Sequence, residues 1–280
     1  MVKIIIDSGS DISKKEAEEL GIILAPIEVQ FGEEQYFDGD TLLPSEFYEK
    51  LEKSNELPKT SLVNEFRWTE LFEKEINNGN DVVAIILSSK ISGTYKCACD
   101  ASTKFNGKVK VVDSLSATLG QRLLCKYAIR LSSENKTAEE IANLLNEKKN
   151  KLHIYAAIDT LKYLKMGGRI SSATAFFGEI LSIKPLISVV DGEVKVIGKE
   201  KGIKKSCIAI KKLIENHNFD FSMPYGLLWS GNNRTNLDKF IQFNSSIWTE
   251  NNEEISQHIL GSTIGSHIGP GAFGFVFFEK

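Results

Sequence analysis

Residues 81–101 read DVVAIILSSKISGTYKCACDA, and this stretch sets the architecture. Val82 to Leu87 is an unbroken apolar run rich in β-branched residues, the pattern of a strand buried on both faces of a sheet. Ser88, Ser89 and Ser92 end it, and Gly93-Thr94-Tyr95 leads into a helical segment. A strand that passes through a small polar loop into a helix leaves free N–H groups at its carboxyl end. Together with the helix dipole they favour a small anion, and open α/β sheets gather ligands at that end. A serine at such a point also serves as an ordinary N-cap, so the stretch alone leaves both readings open.

Outward from it, the first half of the chain alternates strands and helices. Val2 to Ile6 reads as a buried strand ending at Asp7-Ser8, and Ser13 with Glu16 has capping-box spacing for a short helix closed by Gly21. Ile22 to Phe31 is extended, and Gly32-Glu33 turns into Gln35-Tyr36-Phe37. Pro44 opens a helix to about Ser54. Glu56 to Asn64 reads as a polar loop that places Thr60 and Ser61 ahead of the next helix. Lys108 to Val112 is a further strand, a long helix follows from about Gly120, and Thr137 with Glu140 opens a helix reaching Lys149. This is the pattern of a parallel, helix-covered sheet.

The second half is different. Leu152 to Ile158 reads as a strand, Thr160 to Met166 as a short helix stopped by Gly167-Gly168, and Pro185 to Gly198 as a hairpin turning at Asp191-Gly192. A helix from Ile203 to about Asn216, a strand at Tyr225 to Trp229, a helix from Thr235 and a C-terminal apolar strand complete a mixed α+β unit. The expected fold class is α/β in two domains, residues 1–150 and 151–280, with the boundary in the lysine-rich stretch at Asn150.

Composition excludes several classes. With 42 % hydrophobic and 25 % charged residues the chain has the make-up of a soluble globular protein. A formal net charge of −3 gives no basic surplus for nucleic acid. No apolar run approaches a membrane span, and the start MVKIIIDSGSD is too short in its apolar part for a signal peptide, so a cytoplasmic protein is expected. Cys97 and Cys99, two apart on a helix, point to different faces. With four scattered histidines, no metal site is expected.

Candidate chemistry lies in a few short motifs. Gly269 to Gly274 has the letters of a dinucleotide fingerprint, but no βαβ unit follows it. Ser92 and His267 are of the right types for an acyl hydrolase or transferase, although nothing marks an acid to orient the histidine. A phosphate-ligand site would use the same polar loop. Gly265 and Gly269 around His267 indicate close backbone approach, and Gly167-Gly168-Arg169 has the same character beside its plainer reading as a helix C-cap.

Taken together, SSKISGTY (88–95), LKYLKMGGRI (161–170), IKPLISVVDGEV (183–194) and SHIGPGAFG (266–274) strongly resemble the DegV family. DSGSD (7–11), Thr60-Ser61 and Asp113-Ser114 fit as well; one departure is TSLVN (60–64), where the family commonly has a TSQPS-like loop. The resemblance covers essentially the whole chain. It implies two α/β domains with a long-chain fatty acid between them, in a non-catalytic subunit that presents the acyl carboxylate to a separate fatty acid kinase subunit for phosphorylation, feeding phospholipid metabolism. By position, Thr60, Ser61, Ser92 and His267 would meet the carboxylate, with the Gly93 N–H and Arg169 in support. Phe176, Phe177, Ile180 and Leu181 are candidates for the tail. The lysines of KVIGKEKGIKK (195–205), above all Lys199, Lys201 and Lys204, would help dock the kinase. The implied partners are the fatty acid and the kinase, with no nucleic acid, at most transient membrane contact, and no cofactor or metal.

Overall fold

The computed structural model describes residues 1–54, 56–170, 182–247 and 255–280. β1 (Val2–Asp7) is the first buried apolar run and is followed by α1 (Lys14–Glu19). Only half of the capping box at α1 forms: Ser13 Oγ accepts the Glu16 N–H at 3.2 Å, while the Glu16 carboxylate pairs with Arg122. The extended stretch from Ile22 divides at Pro26, which has no N–H to give a ladder. Its halves are β2 (Ile23–Ala25) and β3 (Glu28–Phe31), in different sheets. β3 turns through Gly32 into β4 (Glu34–Phe37), and α2 (Pro44–Lys53) follows.

Where the sequence suggests a polar loop, Lys59–Ser61 is instead a short strand, β5, with Thr60 opposite Val29 of β3. All three of its residues are polar, so hydropathy gives no strand signal; its place comes from the β3 edge. α3 (Glu65–Asn77), β6 (Asp81–Ile86), α4 (Thr94–Ser102), β7 (Val109–Asp113), α5 (Thr118–Ser133) and α6 (Ala138–Lys148) complete the first half. The capping box at α6 is complete, with Thr137 and Glu140 serving each other's N–H groups.

The remaining elements are β8 (Leu152–Ala157), α7 (Lys162–Met166), β9 (Ile183–Val190), β10 (Glu193–Lys201), α8 (Ile203–Glu215), β11 (Gly226–Trp229), α9 (Thr235–Phe243), β12 (Ser256–Ile259), α10 (Ser262–Ile268) and β13 (Phe273–Phe278). β12 and α10 carry no clear sequence signal. The first is a polar four-residue strand, and the second is bracketed and interrupted by glycines.

The fold is α/β, with a parallel, helix-covered sheet and a mixed sheet. In the first the strand order is β2-β1-β6-β7, all parallel, and every strand precedes Lys149. In the second the order is β10-β9-β8-β13-β11-β12, antiparallel except for the β11–β12 pair, and every strand follows Lys151. A third, small sheet, β4-β3-β5, packs with α2 around Val29, Phe47 and Tyr48.

β13 shows how one strand serves two cores. Its side chains alternate: Phe273, Phe275 and Phe277 join the core under α8 and α9, whereas Val276 and Phe278 join the core shared with α5 and the parallel sheet. Each fully buried Phe contributes about 1.5–3 kcal/mol. Because α5 packs on both large sheets, their facing sides share one continuous apolar core.

Candidate functional site

β6 delivers its chain to a buried turn. Ser88 Oγ donates to Gly192 O at 2.7 Å, which ties the β9–β10 turn to the end of the parallel sheet. The loop then runs through Ile91 and Ser92 into α4, whose N-cap is Gly93 and carries no side-chain cap. Ser92 Oγ shares a 2.9 Å hydrogen bond with Thr94 Oγ1 and accepts the Thr94 N–H at 3.2 Å. Thr94 Oγ1 also receives the Val63 N–H at 3.3 Å, which docks TSLVN onto the start of α4. Leu62 of that loop lies against Gly93, where an added Cβ would approach its Cδ2 to 3.1 Å.

His267 comes from the other end of the chain, on α10. Two aspartates, Asp38 buried and Asp11 half-buried, fix the start of that helix. Asp38 accepts from Ser262 N (2.8 Å), Ser262 Oγ (2.6 Å) and Thr263 N (3.1 Å), and Asp11 Oδ1 accepts from Gly261 N (2.8 Å). The other Asp11 oxygen takes the Thr118 hydroxyl, and both residues hold a left-handed backbone, with φ of 60° at Asp11 and 50° at Thr118. A β-branched residue there is strained, and such strain persists only where the surroundings fix it. The glycines around His267 are explained by contact. A Cβ at Gly265 would lie 2.6 Å from Phe47 and 2.8 Å from the Tyr48 hydroxyl, and one at Gly269 would enter the Tyr163 ring. One at Gly167 would overlap His267 Nδ1.

All six predicted head-group residues, Thr60, Ser61, Ser92, Gly93, Arg169 and His267, line one pocket between these elements. His267 Nε2 and Thr60 Oγ1 are 3.0 Å apart, with the donor set by the imidazole tautomer. Arg169 is anchored through Nε on Ile91 O at 3.3 Å and through a guanidinium N–H on Gly167 O. Burial, with a smaller push from the Arg169 charge, lowers the His267 pKa to about 4, so its imidazole is neutral near pH 7. Below α10 the shifts run the other way. Burial raises Asp11 to about 7, Asp7 to about 6, and Asp38 above its ordinary value, each offset in part by hydrogen bonds. The pocket thus offers hydroxyls, a neutral imidazole, a guanidinium and a helix N-terminus, a donor set for a carboxylate or phosphate.

The geometry does not assemble a serine hydrolase. Among the described residues, His267 Nε2 is engaged with Thr60, the Ser92 hydroxyl with Thr94, and His267 Nδ1 has no hydrogen-bond partner. The glycine motif at 269–274 ends α10 and enters β13, a helix-to-strand order opposite to that of a dinucleotide site.

Behind the polar pocket lies an apolar cavity, and Ile91, Arg169, Ile264 and His267 line both. Its walls come from Ala117 and Thr118 at the start of α5, Ile154 and Ala156 of β8, Ile187 and Val189 of β9, and Leu228 of β11. The apolar slot so formed adjoins the polar pocket along these four shared residues.

A family model described as "Uncharacterised protein, DegV family" matches residues 1–280. The chain belongs to the DegV family. A DegV domain-containing protein of Caldanaerobacter subterraneus is 33 % identical, with the alignment covering 100 % of this chain and 99 % of that one. Two solved DegV structures have the same fold. A Thermus thermophilus protein titled for its fatty acid binding superposes with a TM-score of 0.88 at 27 % identity, over 100 % of this chain and 99 % of the other. DegV of Bacillus subtilis, titled a fatty acid binding protein, superposes with a TM-score of 0.85 at 30 % identity, with the same coverage.

Three features of this DegV chain escape sequence reasoning. Thr118 and Asp38 act through long-range hydrogen bonds that no local pattern marks. The cavity lining is ordinary core Ile, Leu, Val and Ala, while the tail candidates Phe176, Phe177, Ile180 and Leu181 lie outside the described residues. Lys199, Lys201 and Lys204 are away from the pocket, exposed on the edge strand β10 and the first turn of α8. Lys204 lies over the Phe243 ring at 5.8 Å. Among the described residues, no helix is long and apolar enough to cross a membrane.

Proposed function

We propose that this chain binds a long-chain fatty acid, with the carboxylate in the polar pocket and the tail in the apolar cavity, and presents that carboxylate to a separate kinase subunit for acyl-phosphate formation. The observation that carries the reading is the sharing of Ile91, Arg169, Ile264 and His267 between the two spaces, which sets an apolar cavity directly against a polar pocket. A charged head on an apolar chain matches it. Thr60, Ser61, Ser92, the Gly93 N–H and His267 hold the carboxylate, and Arg169 supports it from the shared wall. Solved relatives that are titled as fatty acid-binding proteins support the ligand class. The chain itself is a binding subunit without its own catalytic residues, cytoplasmic, and divided at Asn150 into domains 1–150 and 151–280.

The basic edge of β10 and α8 is the docking surface for the kinase. Charges at the rim of an interface steer association and are screened by salt. Native mass spectrometry of protein purified from cells tests the ligand, with the chain carrying one fatty acid as the expected result. A bare chain that also takes up neither added palmitate nor oleate would overturn the binding role. With binding established, Lys199, Lys201 and Lys204 reversed together to Glu should slow acyl-phosphate formation in a reconstituted system at low salt, less so at high salt, and leave lipid binding intact. Equal activity of variant and wild type at low salt removes the docking surface alone.

A further inference from the structure

On the far side of the mixed sheet from the cavity, three metal-ligating side chains converge. β8 alternates: Ile154 and Ala156 line the cavity, so His153 and Tyr155 face the other way. His153 is paired across the ladder with Phe277 of β13, and Glu279 follows two residues later on the same face. His217 arrives in the turn after α8. The backbone fixes all three segments: Glu279 N–H donates to Lys151 O at 2.8 Å, Phe219 bridges to Glu279, and Lys280 N–H donates to Asn218 O at 2.9 Å.

Glu279 Oε2 lies 2.7 Å from His217 Nδ1 and 3.3 Å from His153 Nε2, and the three donor atoms are all within 4.8 Å of one another. Zinc bonded to N and O ligands at about 2.0–2.2 Å in a tetrahedron separates its ligands by roughly 3.3–3.5 Å, so small side-chain shifts would complete the set. Among the described residues, the buried His153 Nε2 makes no well-aligned hydrogen bond, and Glu279 Oε2 at 3.3 Å is its ion-pair partner. The outer contacts are those of a prepared site. Tyr155 Oη lies 2.7 Å from His217 Nε2, so when an ion replaces the proton that Nδ1 shares with Glu279, Nε2 can hold a proton toward Tyr155 instead. Lys151 Nζ approaches the other carboxylate oxygen, Oε1, at 3.3 Å, leaving Oε2 as the single ligand atom. The side chains of His153, His217 and Glu279 are 21 %, 22 % and 25 % exposed, enough for an ion to enter and for water to complete the shell.

We propose that His153, His217 and Glu279 form a three-ligand site for one divalent transition-metal cation, zinc by its N,N,O donor set, with water in the fourth position. A bound ion would clip the turn after α8 to β8 and β13.

The test uses the full chain without an affinity tag, stripped with chelator and titrated with Zn²⁺ by calorimetry and with Co²⁺ by visible absorption. The expected result is saturable binding of about one equivalent and the absorption bands of four-coordinate cobalt. His153→Asn and Glu279→Gln should each weaken binding about tenfold or more, and Zn²⁺ should raise the Tm of the wild type but not of these variants. His258→Asn, a histidine outside the cluster, should bind as the wild type does. Absence of saturable binding by the folded wild type, or equal affinity in His153→Asn and Glu279→Gln, would overturn the site and leave a histidine–carboxylate–lysine network. Should His217→Ala fail to fold, the other two variants decide.

Discussion

The two ends of the ligand compartment are made in opposite ways. The polar end uses a few residues from short motifs, brought together from β5, the β6–α4 loop, the turn after α7, and α10. The apolar end draws single aliphatic side chains from many elements, none distinctive alone. The difference is energetic as well. A tail of about fourteen methylenes at ~0.8 kcal/mol each is worth roughly 11 kcal/mol before costs. A hydrogen bond to a charged head gives about 1.5–3 kcal/mol. In the proposed complex, affinity is therefore diffuse and belongs to the slot, while register and chemistry are concentrated and belong to the pocket.

The strongest blow to this division is Ala156→Phe. Ala156 lines the slot on a central strand, and a larger side chain there takes the place of part of the tail. Displacing three or four methylenes should weaken palmitate about 100-fold by titration. An unchanged affinity in a folded variant would put the tail elsewhere. At the polar end, Ser92→Ala should cost about 1–3 kcal/mol toward the fatty acid and much less toward the matching fatty alcohol. Equal losses toward both would mean that Ser92 only caps α4. His267→Ala should reduce acyl-phosphate formation more than it reduces binding.

The smallest effect on binding belongs to Asp11→Asn, which acts on the scaffold beneath α10, and its signal is in stability. The folded pKa of Asp11 is raised to about 7 from 3.8, so its ionisation costs the folded state progressively as pH rises from about 4 to 7. An asparagine has no such cost and can still accept from Gly261. Denaturant titrations should therefore show the variant gaining on the wild type across that window and holding level above it. His258 and His267, lowered to about 3 and about 4, oppose this trend by destabilising the fold as pH falls below 6.5. They are common to both proteins and cancel in the difference. A flat difference would mean that Asp11 is ionised in the fold at all these pH values.

The same contrast decides what could be read from the sequence. The β1 and β6 runs, the capping boxes and the Asp191-Gly192 hairpin carry strong local signals, and the strand-to-helix turn at Ser88–Gly93 admits an anion beside its reading as an ordinary N-cap. β5 is invisible because its residues are all polar, and α10 because its glycines serve contacts with Phe47, Tyr48 and Tyr163 and not helix formation. Asp38 shows no role until α10 is set on it from 224 residues away. The slot is illegible for a general reason: a side chain lining a cavity and one filling a core are chosen by the same hydrophobicity.

The capping of α10 by Asp38 and Asp11 also orders events in time. Their partners, Gly261 to Thr263, lie 224 to 250 residues further along the chain, and contacts of such sequence separation close late and slowly. While the chain is still growing, β6 and α4 can fold against the parallel sheet, but the pocket lacks its histidine wall. Until α10 docks, the proposed head-group pocket is incomplete, so under that reading ligand loading waits for this long-range contact.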